Sequence, residues 1–131
     1  MFPITALYAA LCGLLILALA FNVVRYRFGR GVSLGDGGDV HINRAVRAHG
    51  NAVEYVPLAL ILIGLLEGNN GNAWALNLYG LVLVLGRLAH AWGLLKPGSE
   101  VNNFRKVGII ATWLVLLAAS VHLLVLSLIH I

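Results

Sequence analysis

The sequence has little charge for its size. Asp, Glu, Lys and Arg make up 11% of its 131 residues, whereas hydrophobic residues make up 60%. A soluble domain of this length needs far more polar surface to cover its core. The apolar excess therefore indicates a protein of one domain whose surface faces lipid.

Cysteines and recognisable catalytic spacings are also scarce. The one cysteine, Cys12, excludes an intrachain disulfide, and we expect it to be an inert core residue. The sequence contains no Walker loop, nucleophile elbow, zinc-ligand spacing or carboxylate pair, so no metal is expected. Its basic residues are not interleaved with aromatic ones. The net charge of +4 therefore indicates membrane topology and attraction to anionic membrane lipids, and no nucleic-acid partner is expected.

The sequence does contain four long apolar blocks. They cover about residues 4–24, 40–66, 73–95 and 104–129, and each approaches or exceeds the roughly 20 residues that cross a bilayer as a helix. The first block follows no basic segment, so we do not expect it to be a cleaved signal peptide. These features predict an all-α integral membrane protein, a bundle of four transmembrane helices in a single domain, 1–131. Residues 25–39 are predicted to form a flexible loop, 67–72 a tight turn, and 96–103 a connection with a Pro-Gly turn signal.

The basic residues predict how these helices are oriented. None of the nine lies at the second connection, since five flank the first (Arg25, Arg27, Arg30, Arg44 and Arg47) and four flank the third (Arg87, Lys96, Arg105 and Lys106). By the positive-inside rule, the first and third connections are cytoplasmic and both termini lie on the non-cytoplasmic side.

The start of the second block is unusually polar. Residues 43–57 read NRAVRAHGNAVEYVP, and helical spacing places several of its polar side chains on or near one face: Arg44, Arg47, Asn51, Glu54 and Tyr55. Pro57 is expected to kink the helix just beyond them. Two interpretations fit this spacing. The residues either satisfy one another through an Arg47–Glu54 or Arg44–Asn51 contact that fixes helix packing, or they form a ligand site.

At this point the sequence resembles a known family. The run R-A-x-x-N-x-x-E-Y-x-P at Arg47–Pro57 resembles the signature of the membrane-associated proteins in eicosanoid and glutathione metabolism, the MAPEG family. The resemblance implies a homotrimer whose site lies between the first two helices of one subunit and the fourth helix of its neighbour. The small size is similar to that of bacterial members, which implies the bacterial inner membrane.

The resemblance also implies roles for individual residues. Four residues match positions that hold glutathione: Arg47, Asn51, Glu54 and Tyr55. His49 is a weaker candidate, at a position where relatives place a polar residue that contacts the ligand. Arg105, in the run FRKVG, matches the arginine that stabilises the glutathione thiolate. Arg44 is expected to join the cations that bind the carboxylates of the tripeptide. Where the leukotriene-forming synthase of the family has two tyrosines, this chain has His90 and Leu94.

Three functions follow as hypotheses. The first is a glutathione transferase, with peroxidase activity as an extension, that attacks a lipophilic electrophile. The second is a non-catalytic protein of the same fold that binds lipid or glutathione. The third is a haem-binding electron carrier, in which His49 and His90 are the axial ligands.

Overall fold

The chain folds as four long helices. The computed structural model describes residues 1–98 and 101–131, and within these ranges it contains α1 (Pro3–Arg30), α2 (Val40–Gly68), α3 (Ala73–Leu95) and α4 (Asn103–His130), with no strand. All four helices are long and apolar enough to cross a membrane. The prediction of an all-α bundle of four transmembrane helices is confirmed, and the protein is a multi-pass integral membrane protein. Of the third predicted connection, residues 99 and 100 lie outside the described ranges.

Helix α1 is longer than the apolar block that predicted it. The prediction ended the helix near residue 24 and assigned 25–39 to a loop, but the helix continues to Arg30. An apolar run ends where the hydrocarbon ends, whereas a helix continues for as long as its backbone bonds are favourable. Gly31 ends α1 because it adopts a left-handed conformation with φ of 66°.

The loop between α1 and α2 is held by charged groups. Asp39 caps α2 by accepting hydrogen bonds from the backbone amides of His41 and Ile42 at 2.8 and 3.2 Å. Its carboxylate also pairs with Arg30 at the end of α1. The backbone amide of Gly38 and the side chain of Asn43 donate to Asp36 and hold the pKa of that carboxyl below its ordinary value. These contacts hold the end of α1 close to the start of α2.

Helices α2 and α3 form the centre of the bundle. Helices α1 and α4 each pack against both of them, whereas the backbones of α1 and α4 do not approach each other within the described residues. Helix α2 runs without interruption through Pro57. Its buried side recurs every three or four residues and is rich in alanine, which allows close helix packing: Ile42, Ala45, Ala48, Ala52, Val56, Ala59, Ile63 and Leu66.

Helices α3 and α4 approach each other closely at glycines. A Cβ added to Gly108 of α4 would collide with the backbone of His90 and Gly86 on α3, and one added to Gly93 would meet the backbone amide of Arg105. These glycines therefore set how close the first turns of α4, which carry Arg105, lie to α3.

At the opposite end of the bundle, Glu67 fastens the start of α1 to the end of α2. Its carboxylate accepts hydrogen bonds from the amides of Ile4 and Thr5 at 2.8 and 2.7 Å and from the Thr5 hydroxyl at 2.6 Å. The first amides of a helix have no partner within the helix, so this carboxylate caps α1 from another element.

We expect Glu67→Ala to lower the free energy of unfolding by about 1–3 kcal/mol, because the lost acceptor is charged and its donors are partly buried. The midpoint of thermal unfolding in detergent measures the effect. Glu67→Gln keeps one carbonyl acceptor and should lose less. An unchanged midpoint for Glu67→Ala would show that this cap does not contribute to stability.

Candidate functional site

A polar cleft lies where α2, α3 and α4 meet. It has a volume of about 250 Å³ and is lined by polar residues together with apolar ones: Asn51, Tyr55, His90, Val101, Arg105, Lys106, Ile109 and Trp113. Asn51 and Tyr55 are one turn apart on α2, so both reach the cleft from one face of that helix. The cleft therefore combines an amide, a phenol, an imidazole and two cations beside an apolar wall.

Arg105 is held at the cleft by the way α4 begins. Asn102 caps this helix, and its side-chain oxygen accepts from the backbone amide of Arg105 at 3.0 Å. The side-chain nitrogen of Asn102 donates to the carbonyl of Gly93 on α3 at 2.6 Å. One side chain thus starts α4 and fastens it to α3, which fixes the position of Arg105 relative to His90.

A buried arginine lies behind the cleft. The side chain of Arg87 is in the centre of the bundle, and the residue is only 1% exposed. Its Nη2 donates to Oδ1 of Asn51 at 2.6 Å and lies 3.3 Å from Nδ1 of His90, while its Nη1 donates to the hydroxyl of Thr112 at 3.3 Å. The guanidinium carbon is 6.0 Å from the centre of the Tyr55 ring. Arg87 therefore connects the polar residues of three helices.

This position corrects the sequence analysis, which places Arg87 among the residues that flank the third connection. It lies within α3, eight residues before the helix ends at Leu95. The signal that would have found it is an arginine inside an apolar helix, because such residues inside membranes face a bundle interior or a cavity. From the sequence, Lys106 is predicted to be only a topological residue and Trp113 a packing residue. Both line the cleft, and Trp113 is 52% exposed.

Three other residues that the sequence groups with the site do not line the cleft: Arg44, Arg47 and Glu54. Arg47 and Glu54 form an ion pair at 3.5 Å, and their side chains are 51% and 54% exposed. The predicted Arg47–Glu54 contact is therefore present. The alternative Arg44–Asn51 contact is wrong, because Arg44 donates to the carbonyl of Lys96 at 3.5 Å and Asn51 is taken by Arg87. Helical spacing considers only pairs within α2, whereas Arg44 and Asn51 each find a partner in α3 or in the residue that follows it.

His49 lies away from the cleft. It lines a separate cavity of about 270 Å³ on the side of α2 that faces α1, with Arg27 and several apolar residues. His90 lines the cleft on the side that faces α3 and α4. The two histidines are therefore not placed to bind one haem between them. The haem hypothesis, which takes them as the two axial ligands, is wrong on this point. Within the described residues, there is also no group of three or more His, Cys, Asp or Glu side chains that could hold a metal ion.

Fold and cleft together define a class of protein. It is a four-helix integral membrane protein with a cation-lined cleft that combines an amide, a phenol and an arginine. Residues 5–125 match the model of the MAPEG family, and the chain belongs to that family. It is also similar to the Inner membrane protein YecN of Escherichia coli strain K12 and to the protein of the same name from an O6:H1 strain. Each is 41% identical over 114 residues, which cover 87% of this chain and 85% of the relative. The resemblance seen in the sequence is thereby confirmed.

Proposed function

We propose that the protein is a membrane-bound glutathione transferase that activates the glutathione thiolate for attack on lipophilic electrophiles. The observation that carries the proposal is that Asn51, Tyr55 and Arg105 line one cleft, although they come from two helices that are distant in sequence. We place the protein in a bacterial inner membrane, because its two Escherichia coli relatives are named as inner membrane proteins. Both termini are proposed to lie on the non-cytoplasmic side, because eight of the nine basic residues flank the first and third connections.

The chemistry of the cleft suits thiol activation. A free thiol with a pKa of ~8.5 is mostly protonated at neutral pH, and only the thiolate is a strong nucleophile. The guanidinium of Arg105 favours the thiolate without acting as a base, since arginine stays protonated. Its place in the first turn of α4 adds the positive end of the helix dipole. Both effects lower the free energy of the anion relative to the thiol.

The proposed reaction transfers the glutathionyl group. The thiol releases its proton to water, the sulfur forms a bond to an electrophilic carbon, and the leaving group departs with its electron pair. In the peroxidase extension, two glutathione molecules reduce a hydroperoxide to an alcohol and water and are oxidised to the disulfide. Trp113, which is exposed, and Ile109 form the apolar side of the cleft. We propose that an electrophile dissolved in the lipid enters the cleft along this side.

The rest of the tripeptide needs groups of both signs. Glutathione carries two carboxylates and one ammonium. Matching charges are present on α2, although these residues do not line the cleft itself: Arg44, Arg47 and Glu54. In the free chain Arg47 and Glu54 are paired with each other and half exposed. We propose that the ligand exchanges this weak internal pair for two contacts of its own.

Exchanging the two charges separates a structural from a binding role. In the double variant Arg47→Glu, Glu54→Arg we expect stability to change little, because the two exchanged charges still attract each other across the same turns of α2. Glutathione affinity should fall at least about tenfold, since each charge then repels the group it would bind. Thermal unfolding and isothermal titration measure the two effects. Wild-type affinity in the double variant would leave this ion pair with a packing role alone.

The same ion pair supports a homotrimer. Half-exposed charges on a membrane-spanning helix are costly against lipid, and such residues are normally covered by protein or water. A neighbouring subunit in a trimer would cover them. Native mass spectrometry of the detergent-solubilised protein should give three times the mass of the chain, and a monomeric mass would contradict this part of the proposal.

The transferase proposal is tested by conjugation in proteoliposomes. Purified protein is given glutathione and a chromogenic nitroaryl chloride, and formation of the thioether is followed by absorbance. We expect saturable turnover above that of empty liposomes. Glutathione binding without turnover towards this and other electrophile classes would instead support the non-catalytic alternative, for which Leu94, at a position where a catalytic relative has a tyrosine, is the supporting observation.

A further inference from the structure

The contact between Arg87 and Asn51 determines which way the amide of Asn51 points. Arginine carries five N–H donors and no acceptor. Nη2 of Arg87 lies 2.6 Å from the Asn51 side chain, so the atom that it meets must be the amide oxygen. The amide nitrogen of Asn51 is then the group left to face the cleft, and it can only donate hydrogen bonds.

The same argument fixes the tautomer of His90. Nδ1 of His90 lies 3.3 Å from Nη2 of Arg87. Because arginine cannot accept, a hydrogen bond at this place requires Nδ1 to be the acceptor, so that the ring is neutral and its proton is on Nε2. His90 is buried between α3 and α4 and lines the cleft. The group that it offers there is an N–H donor.

Arg87 forms no direct ion pair with any carboxylate of the described residues. Its Nε is buried and has no hydrogen-bond partner in the part of the chain that the structure describes. A cation in the centre of a membrane bundle without a counter-charge is costly, and an anion in the adjacent cleft would reduce that cost.

We propose that Arg87 is a positioning residue that turns the cleft into an array of hydrogen-bond donors selective for an anionic group. It holds Asn51 and His90 so that each presents N–H to the cleft, beside the cations of Arg105 and Lys106. The hydroxyl of Tyr55 can donate as well. The bound group is a thiolate or a carboxylate, and its assignment to glutathione rests on the proposed function.

The tautomer of His90 tests the inference without any ligand. Full-length protein labelled with ¹⁵N-histidine is studied in detergent by nitrogen–proton correlation, and His90→Gln identifies the signals of His90. We expect the proton on Nε2 at neutral pH. In Arg87→Met, which removes the donor to Nδ1, we expect a mixture of tautomers. A proton on Nδ1 in the wild-type protein would overturn the inference, whether or not the variant folds.

The orientation of Asn51 is tested by Asn51→Asp. The new carboxylate keeps the contact with Arg87, so the midpoint of thermal unfolding should stay the same or rise. It replaces an N–H donor in the cleft by an oxygen, so glutathione affinity should fall at least about tenfold. The matched control is Asn22→Asp, because Asn22 accepts from Arg25 at 2.8 Å in the same kind of contact away from the cleft. The control should bind glutathione like the wild type.

The outcomes separate this inference from the proposed function. Wild-type affinity in Asn51→Asp would overturn the donor array while leaving glutathione binding intact. If the wild-type protein binds no glutathione, the proposed function fails, and the tautomer measurement alone then decides the inference.

Discussion

Arg105→Ala should reduce the turnover of glutathione conjugation by about 100-fold or more, while glutathione binding is largely kept. A fixed cation next to a developing anion is worth far more in a partly dry site than in water, and removing one such donor typically costs about 10²–10³ in rate. Binding survives because Asn51 and Tyr55 remain in the cleft. Initial rates in proteoliposomes and isothermal titration measure the two effects separately.

The matched control for Arg105 is Lys106→Ala. Lys106 carries the same charge and lines the same cleft, so a loss that comes only from reduced positive potential should be similar in both variants. We expect Lys106→Ala to retain most of the turnover, because the proposed thiolate contact belongs to Arg105. Equal losses would reduce Arg105 to one of two interchangeable charges, and unchanged turnover in Arg105→Ala would remove it from the mechanism.

Gly108→Ala should destabilise the bundle and disturb the cleft together. The added methyl group would collide with the backbone of His90 and Gly86, which cannot move aside as a flexible side chain can. Forced overpacking typically costs about 1–3 kcal/mol. The carbonyl of Gly108 also accepts from the hydroxyl of Thr112, which in turn accepts from Arg87. Moving α4 away from α3 therefore disturbs the support of the cleft as well as the packing.

The control for this substitution is Gly13→Ala on α1, where an added methyl group meets nothing within 4 Å. Thermal unfolding of both variants in the same detergent should show a clear fall for Gly108→Ala and no loss for Gly13→Ala. Equal midpoints for the two variants would show that α3 and α4 tolerate a wider separation than the structure indicates.

The fold was largely predictable because a bilayer imposes a length on each apolar block. Four blocks of sufficient length predict four helices, whatever their detailed packing. The end of α1 was not predictable in this way, because Arg25, Arg27 and Arg30 continue the helix beyond the hydrocarbon until Gly31 ends it. Hydropathy indicates where the chain leaves the lipid. It does not indicate where the helix ends, which here depends on the left-handed conformation of Gly31.

The candidate site was predictable where it depends on local geometry or on a motif. The Arg47–Glu54 contact follows from two turns of one helix. The motif at residues 47–57 drew attention to Asn51 and Tyr55, and the run FRKVG to Arg105, and these three residues line one cleft. The role of Arg87 did not follow. Its partners Asn51, His90 and Thr112 come from three helices, and only packing brings them together. Counting basic residues near connections assigned it a topological role that its burial contradicts.

The most direct test of the central claim is ultraviolet difference absorbance of the detergent-purified protein titrated with glutathione at neutral pH. The claim is that the cleft binds glutathione and stabilises its thiolate. We expect a saturable thiolate band in the wild-type protein and a strongly reduced band in Arg105→Ala. Binding without a band would contradict thiol activation, and the absence of both would contradict the assignment of glutathione to this cleft.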